Sequence, residues 1–544
     1  MSKICKIYDV LIIGAGAAGL FLAANLRGKS VAVLEKNATP GKKILASGGG
    51  RCNVTNRRID ASNYLGDANF VTNILKNLDF KDVLNFFGEL KFNEQKQNQF
   101  FCESGAKDVL GVLLKRAGQS NAQIFCGVCV KSTRKTFTDE NGEIADAFSA
   151  LNVDKFEGSC RNDAPNLQNA KQNLDEIFEV VAENGDKFYA KNLVVASGGL
   201  SYKSLGSSDV GYEIARSFGI KVIPPAPALV GFTVQKEEFW FKNLSGVCFP
   251  AQILLGRVAQ KSGGESKSYS QSKSGDADKF SVCRENIGAN LKQSSDKSAP
   301  SQTGDLNSQK IVAFAVPRQN GKILELNLTV NETTLDKNRD FYDSDAKFNA
   351  SQEIEFNGGE ILNGDAKAGK YSQKEQIKIA GDVLFTHKGI SGPAVLNASL
   401  FWQKGLIEIN FCPNFNIQTA QKSVKQLSTV LPLPRRFTLE FLRAAGLSDK
   451  PYDKYAQAER EKILRLFSYR FAPAGTFGFE RAEVTKGGVD TDALEADCGV
   501  KGVRGLYFIG EVLNVTGMLG GYNLHFAFAC ALRAANVLSK AYRD

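Results

Sequence analysis

Hydrophobic positions fall in short dense runs at the two ends of this chain and in looser alternation between them. Asp9-Val10-Leu11-Ile12-Ile13 is an apolar run bounded by glycine, which predicts a buried strand. It enters Gly14-Ala15-Gly16-Ala17-Ala18-Gly19-Leu20, where apolar residues take up helical spacing. A second run, Ser30-Val31-Ala32-Val33-Leu34, ends on Glu35. Strand, glycine turn, helix, strand and acid each have a job in holding a dinucleotide. Gly14 permits a tight turn, Gly16 lets backbone approach a pyrophosphate, and Gly19 lets the helix pack closely on the strand. The helix start offers free N–H groups and partial positive charge. Glu35 stands about 20 residues on, where an acid accepts from a ribose.

Further along, Asn192 to Ala196 reads as a strand leading into Ser197-Gly198-Gly199. Asp209 to Phe218 reads as a helix that Pro224, Pro225 and Pro227 cannot continue. Lys131 to Asn173 and Gln260 to Gln309 are rich in Ser, Lys, Gly, Asp and Gln, and read as disordered loop insertions. Pro250–Leu255, Ile311–Ala315, Ile323–Val330, Ile377–Leu384 and Leu406–Phe411 are strand-like and predict an antiparallel sheet or barrel. Ala420 to Tyr469 carries leucines and charges at helical spacing and reads as a small helical domain. At the C-terminus, Gly505 to Glu511 is a strand ending in an acid. The loop Thr516-Gly517-Met518-Leu519-Gly520-Gly521-Tyr522-Asn523 follows, then a helix from Leu524 to Lys540.

Composition narrows the class. With 544 residues, 43% of them hydrophobic, the chain can build two or three domains. Its formal charge of +10 invites a nucleic-acid partner, but Lys and Arg are dispersed, with no basic run or RNA-binding motif; a solvated basic surface is the simpler account. Lys3 and Lys6 before an apolar stretch imitate a secretory signal, yet Asp9, Asn25 and the glycines interrupt it. The expectation is a cytoplasmic protein with no membrane anchor. Eleven scattered cysteines fit free thiols in a reducing compartment, and the lone CxxC, Cys126 to Cys129, lacks a partner motif for metal. No metal site is expected.

The stretch Pro40-Gly41-Lys42-Lys43-Ile44-Leu45-Ala46-Ser47-Gly48-Gly49-Gly50-Arg51-Cys52-Asn53-Val54-Thr55-Asn56 follows Glu35 closely. Three further blocks accompany it: Ala196 to Tyr202; Phe385-Thr386-His387-Lys388-Gly389-Ile390-Ser391-Gly392-Pro393; and Gly510-Glu511 through Gly520-Gly521-Tyr522-Asn523. Together they resemble a bacterial family of NAD(P)/FAD-dependent oxidoreductases that includes 3-dehydro-bile-acid Δ4,6-reductase and aminoacetone oxidase-like flavoproteins. The resemblance implies an α/β fold: a Rossmann-like FAD-binding domain (1–224 and 485–544), an inserted antiparallel β-barrel-like domain (225–412) and a small helical domain (413–484). The cofactor-binding set it implies is Gly14, Gly16, Ala17, Ala18, Gly19, Glu35, Lys36, Lys43, Ser47, Gly48, Gly49, Arg51, Cys52, Asn53, Val128, Ser197, Gly198, Gly199, Gly510, Glu511, Gly520, Gly521, Tyr522 and Asn523. Val128 would meet the adenine through its backbone, Ser47 to Asn53 would pass beside the isoalloxazine, and Glu511 stands where related flavoproteins place Asp. Cys52 reads as a small packing residue against the ring rather than a redox thiol.

Gly520 and Gly521 allow backbone to lie against a ring edge, and Asn523 is placed to cap the last helix, whose positive end would stabilise an anionic reduced flavin. Only two histidines exist, His387 and His525. Both fall in or beside these blocks, and each is a candidate proton donor or contact; for His387 a purely structural role in its turn is the alternative. No histidine precedes His387, so the FAD is expected to be non-covalent. With one fingerprint rather than two, NADH or NADPH would act as a transient donor. The expected reaction is reduction of a small enone-like molecule, with no nucleic-acid or membrane partner. The alternatives are an oxygen-dependent amine oxidase and a flavin-containing sensor or RNA-binding protein.

Overall fold

The apolar runs at the two ends of the chain come together in one twisted sheet. The computed structural model describes residues 6–138, 144–145, 175–256, 314–316, 324–326, 354–356 and 376–540. They all belong to one unit, Met1–Gly256 with Ile311–Asp544. The predicted insertion 260–309 and most of 131–173 lie outside the described residues.

Five strands form the continuous parallel part of the first sheet, Gln123–Cys126, Val31–Glu35, Ile7–Ile13, Lys187–Val195 and Leu506–Phe508, and Phe314–Val316 adds one parallel bridge at its edge. They are apolar on both faces because helices cover both sides. The helix Ala17–Asn25 is buried from Ala18 to Ala24, packed between the sheet and the helices Ala106–Gln119 and Tyr522–Lys540. That is why it lacks a polar stripe. A Cβ at Gly19 would stand 2.0 Å from the Gly14 carbonyl oxygen, so this close approach requires glycine.

Two sequence expectations change here. Residues 131–138, read as the start of a loop, form the strand Val130–Thr138, antiparallel to Asp175–Ala182. Its apolar signal is weak because cross-strand charge pairs hold much of it: Arg134 and Lys187 both grip Glu179 (2.7 and 3.0 Å), and Lys135 pairs with Glu176. The strands Phe314–Val316 and Leu324–Leu326, expected in the antiparallel layer, pair at the outer edge of the first sheet instead.

The second sheet has eight strands, all antiparallel, ordered Tyr469–Phe471, Ile407–Asn410, Cys248–Gly256, Gln376–Thr386, Gly389–Ser391, Phe232–Thr233, Gly475–Thr476, with Ile354–Phe356 also on Gln376–Thr386. Among the described residues no pairing joins its two ends, so no closed barrel forms there. Its core is aromatic, with Phe241, Phe249, Phe385, Phe411 and Phe437 almost fully buried. The helices between Gln418 and Leu464 pack on this same core through Leu427, Phe437, Phe441 and Ile463. A two-stranded ladder, Val222–Ala228 with Val484–Val489, links the two sheets. Pro224 and Pro225 lie where its register shifts, between Ile223 and Ala226, and Pro227 stands opposite Thr485; bulges and edges are where a strand accepts Pro. Among the described residues no helix is long and apolar enough to cross a membrane.

Candidate functional site

The parallel strands all deliver their C-terminal ends to one cavity of about 1630 Å³. This is where open α/β sheets bind ligands. Of the residues singled out from the sequence, Gly14, Gly16, Ala17, Ala18, Glu35, Lys36, Lys43, Ser47, Gly48, Gly49, Arg51, Asn53, Val128, Ser197, Gly198, Gly199, Glu511, Gly520, Gly521 and Asn523 line it.

The glycine turn shows what the cavity is shaped for. Gly14 has φ +106°, and a Cβ there would meet Ala196 O at 2.4 Å, so the protein itself demands glycine. Gly16 has ordinary extended backbone, and a Cβ there would meet no protein atom within 4 Å. Its missing side chain leaves room in the cavity rather than in the core. Gly49, in the positive-φ run Gly48-Gly49-Gly50, is equally open. A dinucleotide backed on Gly16 and Gly49 fits this cradle.

Glu35 is buried and both of its oxygens are hydrogen-bonded, Oε2 to a single N–H. One oxygen accepts the Ala15 N–H (2.9 Å), the other Asn37 N–H and Nδ2 (2.8 and 2.7 Å). It therefore ties the glycine turn to the end of the second strand. Val128 N–H already donates to Glu35 O (2.9 Å), so contact with a base would have to use the Val128 carbonyl.

Deeper in the cavity, Lys43 Nζ meets both Glu511 oxygens (2.8 and 2.7 Å) and Ser201 Oγ (2.6 Å), and Thr485 N–H donates to Glu511 Oε1 (3.0 Å). The opposite side is the start of the helix Tyr522–Lys540, which presents Gly520, Gly521, Asn523 and Leu524. The two glycines pass against the strand Asn53–Asn56: a Cβ at Gly521 would stand 2.6 Å from Thr55 O, and Asn56 Nδ2 donates to Gly520 O (3.0 Å). The Asn53 amide fits when its oxygen accepts from Gly521 N–H and its nitrogen donates to Thr55 O, both at 3.1 Å.

Six expected site residues do not reach the cavity, and each has a physical reason. Gly19 serves helix packing. Gly510, φ +76°, lies against Ala18, where a Cβ would stand 2.9 Å from the alanine's. Cys52 is fully buried and burial pushes its thiol up to about 12, which leaves it inert. Tyr522 turns into an edge-to-face contact with Tyr64 (5.9 Å). His525 is fully buried: its Nε2–H donates to Leu78 O (3.1 Å), which leaves Nδ1 to accept from the Thr55 hydroxyl (2.8 Å). Burial lowers its pKa to about 4, so it is a neutral structural linker and not a proton donor to the cavity. His387 is exposed at the tip of a turn pinned by Thr386, whose Oγ1 accepts from Lys388 and Gly389 N–H (3.3 and 3.2 Å). Asn523 lines the cavity but does not cap the helix. Its amide closes the preceding loop on Gly517 N–H and O (2.8 and 2.9 Å).

The sequence reading missed Glu483, Lys486 and Thr485. Burial pushes the Glu483 carboxyl up to about 7, with Lys43 opposing. Burial lowers Lys486 to about 8; its Nζ caps the helix Pro393–Phe401 on the carbonyls of Ser399, Leu400 and Trp402 (2.8–2.9 Å). Thr485 Oγ1 accepts from Leu200 and Ser201 N–H (2.8 and 3.1 Å). An acid and a threonine just before Gly487-Gly488, whose φ values are +84° and +125°, were the available signal. Two non-glycine residues in the left-handed region, Tyr202 (φ +58°) and Leu229 (φ +48°), also line the cavity, where such strain tends to collect.

Comparison with known proteins agrees with the fold. The family described as HI0933-like protein Rossmann domain matches residues 8–147 and 157–537. A Haemophilus influenzae protein named ribosomal RNA dihydrouridine synthase is 28% identical over 97% of this chain and 98% of its own. An Escherichia coli protein of the same name is 27% identical over 98% of each. The 3-dehydro-bile acid Δ(4,6)-reductase of Clostridium scindens is 26% identical over 97% of this chain and 98% of its own.

Proposed function

We propose, from the premise that this chain belongs to the HI0933-like Rossmann-domain family, that it reduces a carbon–carbon double bond conjugated to a carbonyl. The chain is an enzyme of the FAD-dependent oxidoreductase type. The names of its relatives share one chemistry. Dihydrouridine is uridine with one carbon–carbon bond saturated, and a Δ(4,6)-reductase saturates the same kind of bond in a 3-keto compound. In both, the double bond is conjugated to a carbonyl.

The observation that carries the reading is the cavity itself. Small-molecule sites measure about 300–1,000 Å³; this one, at 1630 Å³, has room for a dinucleotide and a second molecule. Gly14 and Gly16 with the start of the helix Ala17–Asn25 would hold the pyrophosphate, Glu35 the adenosine end, and Ser47 to Gly49 with Gly520 and Gly521 the ring. FAD bound there, non-covalently, supplies a two-electron hydride carrier. The chain positions it, and the start of the 19-residue helix Tyr522–Lys540 stabilises negative charge near it. Beyond Lys43 and Glu511 the wall turns apolar at Leu229, Val484, Met518 and Leu519, which suits a small hydrophobic enone. The reductant in this reading is NADH or NADPH, and the setting is the cytoplasm, which suits the free thiols of the eight cysteines among the described residues.

The test is anaerobic stopped-flow mixing of the holoenzyme with NADH and, separately, NADPH, followed by an enone probe or a uridine-containing RNA. Fast bleaching of the flavin band and its return on adding an enone supports the reading. Flavin that neither nucleotide bleaches, but that an amine bleaches, would replace it with an oxidase.

A further inference from the structure

Saturating a conjugated double bond needs a hydride at one carbon and a proton at the carbon next to the carbonyl. The hydride is FAD chemistry, with NAD(P)H as reductant. The proton must come from this chain or from water. Neither histidine reaches the cavity. Glu35 and Glu511 line it, but their oxygens are held by N–H groups and by Lys43. Glu183, Asp209 and Glu213 line it from its exposed rim, and Asp382 and Tyr202, which line it as well, are engaged in other interactions.

Glu483 is different. Its backbone is fixed on both sides: its N–H donates to Leu229 O (3.2 Å) and its carbonyl accepts from Ser201 Oγ (3.4 Å). Among the described residues its carboxyl takes part in no hydrogen bond or ion pair, and it lines the cavity beside the apolar wall of Leu229, Val484 and Met518. The charges around it are few. Lys43, on the helix Lys42–Ala46, acts on it, and Lys43 is already paired with Glu511. Lys486, on the strand Val484–Val489 that follows Glu483, is turned away to the carbonyls of Ser399, Leu400 and Trp402.

We propose that Glu483 is the catalytic acid of the reduction, delivering a proton to the carbon adjacent to the substrate carbonyl. This rests on the enone reading above. The carbonyl-conjugated π pair moves toward oxygen as hydride adds at the far carbon; the adjacent carbon takes the Glu483 proton; solvent then reprotonates the carboxylate. A carboxyl held at about 7 is half protonated at neutral pH, which suits a group that must both give and regain a proton.

The test uses wild-type holoenzyme, E483Q and E483D, with flavin reduced anaerobically by NADPH and then mixed with 2-cyclohexen-1-one or a 3-keto-Δ4 steroid. The expected result is reoxidation by the enone slowed about 10²-fold or more in E483Q, and partly restored in E483D. In wild type, reoxidation declines as pH rises through about 7, and E483Q lacks that decline. A separate readout is the pH titration of the Glu483 carboxyl by ¹³C NMR of glutamate-labelled holoenzyme, assigned by its loss in E483Q. Wild type that is reoxidised together with E483Q that matches it overturns the assignment alone, as does a Glu483 carboxyl that titrates like a free glutamate. Reduced wild-type flavin that no enone reoxidises overturns the enone reading and this assignment with it.

Discussion

Gly14 and Gly16 stand two residues apart in one turn, and the structure assigns them opposite consequences when each is replaced by alanine. At Gly14 the new Cβ meets Ala196 O at 2.4 Å and the backbone must hold φ +106°. A forced positive φ costs about 1–3 kcal/mol, and overpacking against backbone about 1–3 kcal/mol more, so Gly14→Ala should lose about 2–6 kcal/mol of fold stability. At Gly16 the backbone is extended and nothing in the protein lies within 4 Å of the new methyl. Only its place before the helix matters, and that is worth less than about 1 kcal/mol. The methyl instead occupies cavity where the pyrophosphate would lie. A misfit of about 1–3 kcal/mol weakens FAD binding about 5- to 150-fold. The assay is urea unfolding of flavin-free protein beside FAD titration followed by flavin fluorescence. Flavin-free protein is essential, because bound ligand adds stability by mass action and would blur the two effects. Gly16→Ala with wild-type FAD affinity would refute the cradle. Gly14→Ala with wild-type stability would refute the steric reasoning.

Four further outcomes follow from single contacts. His525 titrates near 4 when folded against an ordinary value of 6.5, so the unfolded chain binds its proton first. Its contribution to stability is intact above pH 6.5 and is lost as pH falls from 6.5 to 4, about 3 kcal/mol in all; His525→Gln should flatten the urea-midpoint profile in that window. Lys43→Met removes the cation that holds the Glu483 carboxyl down, so the alkaline limb of enone reduction should move to higher pH, and a limb that stays or falls contradicts the coupling. Phe385 is fully buried with ring centroids of Phe241, Phe249 and Phe437 at 5.0, 5.9 and 5.4 Å; Phe385→Ala should cost about 3–5 kcal/mol, seen as a lower urea midpoint at unchanged slope. Cys52 should resist a thiol-labelling reagent in the native protein and react only on unfolding, since burial keeps it protonated.

What the sequence disclosed and what it hid divide along a physical line. The strand–turn–helix unit at residues 7–35 was legible because its signal is local, an apolar run followed within a few positions by three glycines, even though the atom that forbids a side chain at Gly14 is Ala196 O, far along the chain. Gly520 and Gly521 were legible as a pair in the same way, and their reason, the passage beside Thr55 and Asn56, is likewise remote in sequence. The histidines misled for the converse reason. A residue type suited to proton transfer says nothing about access, and access is decided by packing: Thr55 and Leu78 enclose His525 from elements some 450 positions away in the chain. The strand Val130–Thr138 was hidden because Arg134, Lys135, Glu176 and Glu179 replace the apolar alternation that announces a strand. Glu483 was hidden for a third reason. One acid just before a short strand carries no pattern, and its surroundings arise only when Leu229, Ser201 and Lys43, drawn from three separate segments, come together around it. Local sequence therefore picked out most of the glycines that line the cavity, whereas Glu483 takes its place there only beside the ladder of Val222–Ala228 and Val484–Val489. The residues that select the substrate should accordingly be sought along that ladder and its apolar wall of Leu229, Val484 and Met518.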